Sequence, residues 1–141
     1  VAPSNIDRWI IQLSAPSRRM DEQENTKDVQ AGIESQIDKI IQTIDNWGPH
    51  SQKIYIVSWF KEQGDYVKHR YPAYHVPIWY KNKHYSAYEW WPEENNTLKE
   101  LTIRHDSEIN INDDHFSELG HQVIAQSILE KIKVNESLNL V

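Results

Sequence analysis

A histidine and two aspartates lie close together near the end of the chain, where residues 111–117 read INDDHFS. An imidazole that changes protonation near neutral pH can act as a general base, and a neighbouring carboxylate can fix its tautomer and stabilise the imidazolium. His115 is therefore a candidate base, and Asp113 is a neighbouring carboxylate that can orient it. The same residues are also compatible with a solvated acidic loop that carries an exposed histidine.

The helix that must position this loop follows it directly. Ser117 is a suitable N-cap, because its hydroxyl can accept a hydrogen bond from an amide of the first turn, and Glu118 lies where the helix dipole favours an anion. Apolar residues then recur at helical spacing through residue 132 and predict one broad stripe packed against a core. They are Leu119, Val123, Ile124, Ile128 and Ile132, with Ala125 and Leu129 alongside.

The string DDHFSELGH at residues 113–121, followed by an apolar helix, resembles the last motif block of the SGNH (GDSL) hydrolases. In that family the block reads Asp-x-x-His, commonly followed by a small polar residue and then Gly-His or Gly-Tyr. The resemblance implies that His115 is the base of a Ser-His-Asp triad whose acid stands three residues earlier. Asn112 occupies that position here, and the nearest acids are Asp113 and Asp114. An asparagine can orient a histidine, but it cannot stabilise the imidazolium as a carboxylate does.

The other blocks of the family are altered or missing. The family places an oxyanion Gly-x-Asn-Asp block after a strand, whereas the corresponding loop here offers Ser14 as the substitute donor. Ser14 can instead stabilise a turn beside the nearby proline. The sequence contains no Gly-Asp-Ser nucleophile motif. The resemblance therefore implies that residues upstream of Val1, or another protein chain that covers the first strand, supply the nucleophile and the missing strands.

A strand, a helix and a second strand are predicted in the first sixty residues. Trp9–Leu13 is a short apolar run suited to a buried strand, and residues 53–60 form a β-branched and aromatic run followed by the breaker Gly64. Between them, residues 26–47 carry one apolar helical face and end before Gly48 and Pro49. This order predicts a βαβ unit with parallel strands. The charged face of the helix, which includes Asp38, is expected to be solvated.

Residues 64–96 are rich in tyrosine and tryptophan and are interrupted by prolines. The proline spacing disfavours long helices and predicts an ordered insertion with short strands near residues 76–80 and 85–90, turning at residues 81–83. The aromatic side chains could form a small satellite core, a platform on which sugar rings stack, or a subunit interface. Trp79, Trp90 and Trp91 are the candidate ligand-binding residues.

A third short strand is predicted at residues 101–103, before the histidine loop and the last helix. The order of elements is similar to the second half of a flavodoxin-like SGNH sheet. The resemblance covers roughly residues 7–60 and 101–132, and it implies a three-layer α/β fold with a parallel sheet that lacks its first strands. The 141 residues fit one domain, interrupted by the aromatic insertion.

Composition limits the classes of partner and cofactor. The formal net charge of −6 argues against a nucleic-acid partner, and no stretch is apolar enough to span a membrane. The chain has no cysteine, so a thiolate metal site is excluded. His69, His75 and His84 lack the spacing of a zinc motif, and neither a metal nor another cofactor is expected.

Two functions are compatible with these features. The first is an ester hydrolase of the SGNH type that acts on acylated glycans, incomplete or degenerate in this chain. The second is a noncatalytic structural or glycan-binding component of a larger assembly, such as a virion or a cell-surface complex. The histidine block favours the first function, whereas Asn112, the altered oxyanion loop and the missing serine motif favour the second.

Overall fold

The computed structural model describes residues 8–13, 26–47, 53–91, 93–103 and 115–137. In chain order the elements are strand β1 (Trp9–Leu13), helix α1 (Thr26–Asn46), strand β2 (Ile54–Ser58), helix α2 (Lys61–Arg70), strands β3 (Ile78–Tyr80) and β4 (Lys83–Tyr85), a 3-10 helix (Glu93–Leu101) and helix α3 (Glu118–Ser137). The protein is therefore a mixed α/β structure with a small parallel sheet. None of the described helices is long and apolar enough to cross a membrane.

Strands β1 and β2 pair in parallel, with Trp9 opposite Ile54 and Leu13 opposite Ser58. On its other side β2 meets the segment around His75, because the amide of Ile56 donates to the carbonyl of Tyr74 at 2.7 Å and Val76 donates to Ile56 at 3.0 Å. The predicted parallel strands and the helix between them are confirmed. All five residues of β2 are buried, because β1 lies on one side of the strand and the His75 segment on the other.

Helices cover both faces of the sheet. Alternate residues of a strand point to opposite faces, so Ile54 and Ile56 lie on one side of β2 and Tyr55 and Val57 on the other. The first pair packs in an α1-side cluster, which contains Leu13, Ile33, Ile37, Ile41, Ile44, Ile54, Ile56 and Val67. The second pair packs in an α3-side cluster, which contains Tyr55, Val57, Val76, Ile78, Tyr88, Leu98, Leu101 and Ile124.

The buried stripe of α3 is narrower than its apolar pattern predicts. Ile124 is buried and Ile128 packs against the α3-side cluster, but Leu119 and Leu129 are exposed. The two-stranded parallel sheet offers α3 a narrow surface, so residues at the margins of the stripe remain in solvent.

Helix α2 corrects the sequence-based interpretation of Gly64. This glycine does not break the chain after β2 but lies inside the helix, and it is buried. A Cβ atom at this position would lie 2.2 Å from the carbonyl oxygen of Ser86. Gly64 therefore permits close packing between α2 and the backbone that follows the hairpin.

Asp38 of α1 is not simply solvated, as its charged face suggests. The hydroxyls of Tyr66 and Tyr71 both donate to its Oδ1 atom, at 2.8 and 2.6 Å. Desolvation and the hydrogen bond to Asp38 raise the pKa of Tyr66 to about 12. These hydrogen bonds tie α2 to α1 across the α1-side cluster.

The predicted hairpin is present, but its second strand comes earlier than expected. Strands β3 and β4 pair antiparallel around a two-residue turn at Lys81 and Asn82, which have φ angles of 49° and 62°. Two left-handed residues suit the right-handed twist of the flanking strands. The second strand therefore occupies Lys83–Tyr85. The segment that follows it returns to β2, where the amide of Tyr88 donates to the carbonyl of Ser58.

The predicted strand at residues 101–103 is wrong. Leu98 and Leu101 lie three residues apart on the 3-10 helix and are both buried in the α3-side cluster. Side chains three residues apart eclipse one another in a 3-10 helix, which lets both leucines enter one core. Only Thr102 then makes a bridge, an antiparallel one with Phe116.

Candidate active site

Tyr88 contacts several elements at the carboxyl end of the parallel sheet. Its amide donates to the carbonyl of Ser58, the last residue of β2, at 3.1 Å. Its hydroxyl accepts a hydrogen bond from Nε2 of Gln12 in β1 at 3.0 Å. Its ring lies 6.4 Å from that of Trp59 and 4.6 Å from that of Phe116. The segment that carries His115 therefore lies against the carboxyl ends of both strands.

The backbone around His115 is held by hydrogen bonds to the end of the 3-10 helix. The carbonyl of His115 accepts from the amide of Ile103 at 2.8 Å, and the amide of Ser117 donates to the carbonyl of Leu101 at 2.9 Å. The His115 side chain itself is exposed. The imidazole is therefore accessible on a backbone that hydrogen bonds hold in place.

Ser117 is confirmed as the N-cap of α3. Its Oγ atom accepts a hydrogen bond from the amide of Gly120 at 3.1 Å and donates to the carbonyl of Glu100 at 3.2 Å. The side chain is buried, so both hydrogen bonds are shielded from water. Ser117 therefore fixes the start of α3 to the 3-10 helix, two residues after His115.

Gly120 and His121 complete the motif in the first turn of α3. A Cβ atom on Gly120 would lie 2.0 Å from the carbonyl oxygen of Leu101, so this position needs a glycine for the helix to approach. The ring of His121 lies 5.4 Å from that of Phe116. Both residues support the backbone next to His115.

The other predicted catalytic residues lie outside the part of the chain that the structure describes. These are Asn112, Asp113 and the oxyanion candidate Ser14. Residues 8–13 end immediately before Ser14, and residues 115–137 begin two positions after Asp113.

Sequence reasoning missed two polar residues at this edge. Glu89 follows Tyr88, and its Oε2 atom accepts a hydrogen bond from the amide of Lys61 at 2.8 Å, at the start of α2. Burial raises the pKa of Glu89. The hydroxyl of Ser58 is fully buried and has no hydrogen-bond partner among the described residues. The position of Ser58 at the end of an apolar run was the available signal, whereas Glu89 depends on a contact across 28 residues.

The three candidate tryptophans lie at two separate places in the structure. Trp90 and Trp91 lie together, with ring centroids 6.1 Å apart, and the Nζ atom of Lys99 lies 5.3 Å from the centre of the Trp90 ring. Trp79 instead lies on the hairpin, 4.3 Å from the ring of His84. Trp91 is 64% exposed and Trp79 is 43% exposed.

Among the described residues, no group of three histidine, cysteine or carboxylate side chains is arranged to hold a metal ion. His75 is buried, and its Nε2 atom lies 2.9 Å from the carbonyl oxygen of Ser86. Its neutral imidazole can donate to this carbonyl, so His75 has a structural role in joining the sheet to the segment after the hairpin.

Comparisons with family models, with curated proteins and with solved structures found no match to this chain.

Proposed function

We propose that the protein contributes the base of an SGNH-type ester hydrolase that acts on acylated glycans, with His115 as that base. The observation that carries this proposal is the contact between Phe116 and Tyr88, because it places the His115 segment at the carboxyl ends of β1 and β2. Open parallel sheets bind ligands at this edge. The likeness of residues 113–121 to the last SGNH block is independent support from the sequence.

In the proposed reaction, His115 takes the proton from an attacking hydroxyl as that hydroxyl adds to the ester carbonyl. It then returns the proton to the departing alcohol of the glycan, and hydrolysis of the acyl intermediate by water repeats the cycle. Asn112 and Asp113 are proposed to orient the imidazole, and Ser14 to donate to the oxyanion. Since the sequence contains no Gly-Asp-Ser motif and Ser58 is fully buried, we propose that the attacking hydroxyl comes from upstream residues or from another chain.

A noncatalytic glycan-binding or structural role within a larger assembly is the second candidate. The exposure of Trp91 beside Trp90 favours it, since tryptophan is enriched at contact surfaces. The lack of a Gly-Asp-Ser motif in the sequence also favours it. Under this alternative, the His115 segment would be retained only for its contacts with Tyr88 and the 3-10 helix.

Hydrolysis of p-nitrophenyl acetate separates the two candidates. The 141-residue chain and a version extended upstream in its source gene would each be assayed with and without His115→Ala. We expect the extended protein to turn over and His115→Ala to reduce its kcat by about a hundredfold or more. His69→Ala is the matched control, because His69 is an exposed histidine at the end of α2.

Activity that survives His115→Ala, or the lack of turnover in both wild-type proteins, would contradict the esterase proposal. Circular dichroism of each variant would verify that the fold is retained. A loss of activity in His69→Ala equal to that in His115→Ala would show that the assay reports general damage to the protein.

A further inference from the structure

Trp91 is an exposed indole whose position is set by anchored neighbours. Trp90 is partly buried against the α3-side cluster, and its ring meets Trp91 edge to face. The ammonium of Lys99 lies over the Trp90 ring. Aromatic pairs of this geometry are stabilising, so Trp91 is presented to solvent by a supported structure.

The ammonium of Lys99 borders this aromatic pair, and Asn96 lies on the same face of the 3-10 helix as Lys99. Asn96 and Lys99 are three residues apart on the 3-10 helix, where side chains at this spacing eclipse one another. Asn96 is exposed, and its amide can both donate and accept hydrogen bonds, whereas Lys99 can only donate. The surface therefore combines a flat apolar ring and a nearby ammonium with an exposed amide on the same helix face as that ammonium.

This combination matches the chemistry of a sugar. A pyranose ring has an apolar face of C–H groups and an edge of hydroxyls, so its face can cover an indole while its hydroxyls meet an amide and an ammonium. We infer that Trp91, Trp90, Asn96 and Lys99 form a carbohydrate-binding subsite. An extended nucleic acid is a poorer match, because the chain carries a net charge of −6.

The subsite is close in the chain to the candidate active site. Trp91 follows Tyr88 by three positions, so their Cα atoms are at most about 11 Å apart. Tyr88 in turn contacts Phe116, the neighbour of His115. A glycan lying on Trp91 can thus extend toward His115. This inference rests on the proposed function for its acylated substrate, and it assigns Trp91 to holding the sugar portion.

Calorimetric titration with oligosaccharides tests the subsite without any catalytic readout. The probes are cellohexaose, chitohexaose and an oligogalacturonate, with a single-stranded oligothymidylate as the nucleic-acid comparison. We expect at least one oligosaccharide to bind, and Trp91→Ala to weaken that binding about tenfold. Trp91→Phe retains a ring and should lose less affinity. Trp47→Ala is the matched control, because Trp47 is 46% exposed and also contacts a second tryptophan, Trp9.

Four outcomes would overturn the inference. The first three are the binding of no oligosaccharide, an equal loss of affinity in Trp47→Ala and Trp91→Ala, and preferential binding of the oligothymidylate. A wild-type dimer that Trp91→Ala dissociates in sedimentation would also overturn it, since Trp91 would then be an interface residue.

The esterase proposal and the carbohydrate-binding inference can be contradicted independently of each other. His115→Ala should bind the oligosaccharide like wild type, because His115 is not part of the subsite. Sugar binding that depends on Trp91, without any ester hydrolysis by the extended protein, would support the subsite and exclude the esterase. Ester hydrolysis without sugar binding would support the esterase and exclude the subsite.

Discussion

Gly120 shows how one residue can control the geometry next to a candidate catalytic group. Glycine is unfavourable inside a helix by about 1 kcal/mol relative to alanine, so its presence in the first turn of α3 needs a reason. The reason is the carbonyl oxygen of Leu101, which lies 2.0 Å from where a Cβ atom would be. The Gly-His pair of the motif therefore reflects close packing at this position.

Gly120→Ala is expected to reduce the free energy of unfolding by about 2 kcal/mol, because the backbone of α3 or of the 3-10 helix must move. Urea denaturation followed by circular dichroism measures this change. Gln122→Ala is the control, since Gln122 is exposed on the same helix and should change stability by less than about 0.5 kcal/mol. An increase in stability of Gly120→Ala would mean that helix propensity outweighs the contact.

At the scale of elements, His75 links the parallel sheet to the segment after the hairpin. The backbone on both sides of His75 hydrogen-bonds to Ile56, and its imidazole meets the carbonyl of Ser86. Burial lowers the pKa of His75 below its usual value. The charges that face it are Lys131 and Lys68, which lower the pKa further, and Asp65, which opposes them.

The stability of the protein should therefore fall in mild acid. A histidine whose folded pKa is depressed contributes its full stability above the unfolded pKa of about 6.5, and this contribution is lost as the pH falls through the folded pKa. Urea denaturation between pH 8 and about pH 5 should show the loss in wild type. In His75→Gln, whose amide can donate to Ser86, the loss over this range should be smaller.

His84→Gln is the matched control for this pH dependence, because His84 is exposed on β4. It should retain the wild-type dependence on pH. If His75→Gln loses as much stability in acid as wild type does, the dependence comes from other groups.

At the scale of the whole molecule, β1 lies at the margin of the parallel sheet. Among the described residues, β2 is the one strand that pairs with β1. The amides of Trp9, Ile11 and Leu13 face β2 in this register, so those of Ile10 and Gln12 face away from it. The Ile10 side chain is 56% exposed. We therefore expect another segment or another chain to cover this edge.

Ile10→Lys is expected to weaken any association through this edge, because a lysine on an edge strand opposes pairing with a second strand. Sedimentation velocity over a range of concentrations would compare this variant with wild type, and we expect wild type alone to associate. Gln42→Lys is the control, since it adds the same charge at an exposed position of α1. Equal association of Ile10→Lys and wild type, or a wild type that stays monomeric throughout, would contradict this use of the edge.

Local patterns in the sequence were sufficient for the elements whose causes are local. The β1–α1–β2 unit follows from apolar periodicity, the N-cap follows from Ser117, and the turn at Lys81 and Asn82 follows from short runs on each side. Each depends on residues within a few positions of one another, or on one apolar face. The neighbouring residues in the sequence also identified His115 as a candidate base.

The tertiary structure alone decided where these pieces meet. Gln12 and Tyr88 are 76 residues apart, and Gly64 is explained by the backbone of Ser86. The 3-10 helix replaces the expected strand because Leu98 and Leu101 fill the same cluster. Such contacts join residues that have no fixed spacing in the chain, so periodicity cannot predict them. The sequence by itself therefore determined the β1–α1–β2 unit, the hairpin, the N-cap of α3 and the chemical candidates, whereas packing decided α2, the 3-10 helix and the meeting of His115, Tyr88 and the carboxyl ends of the strands.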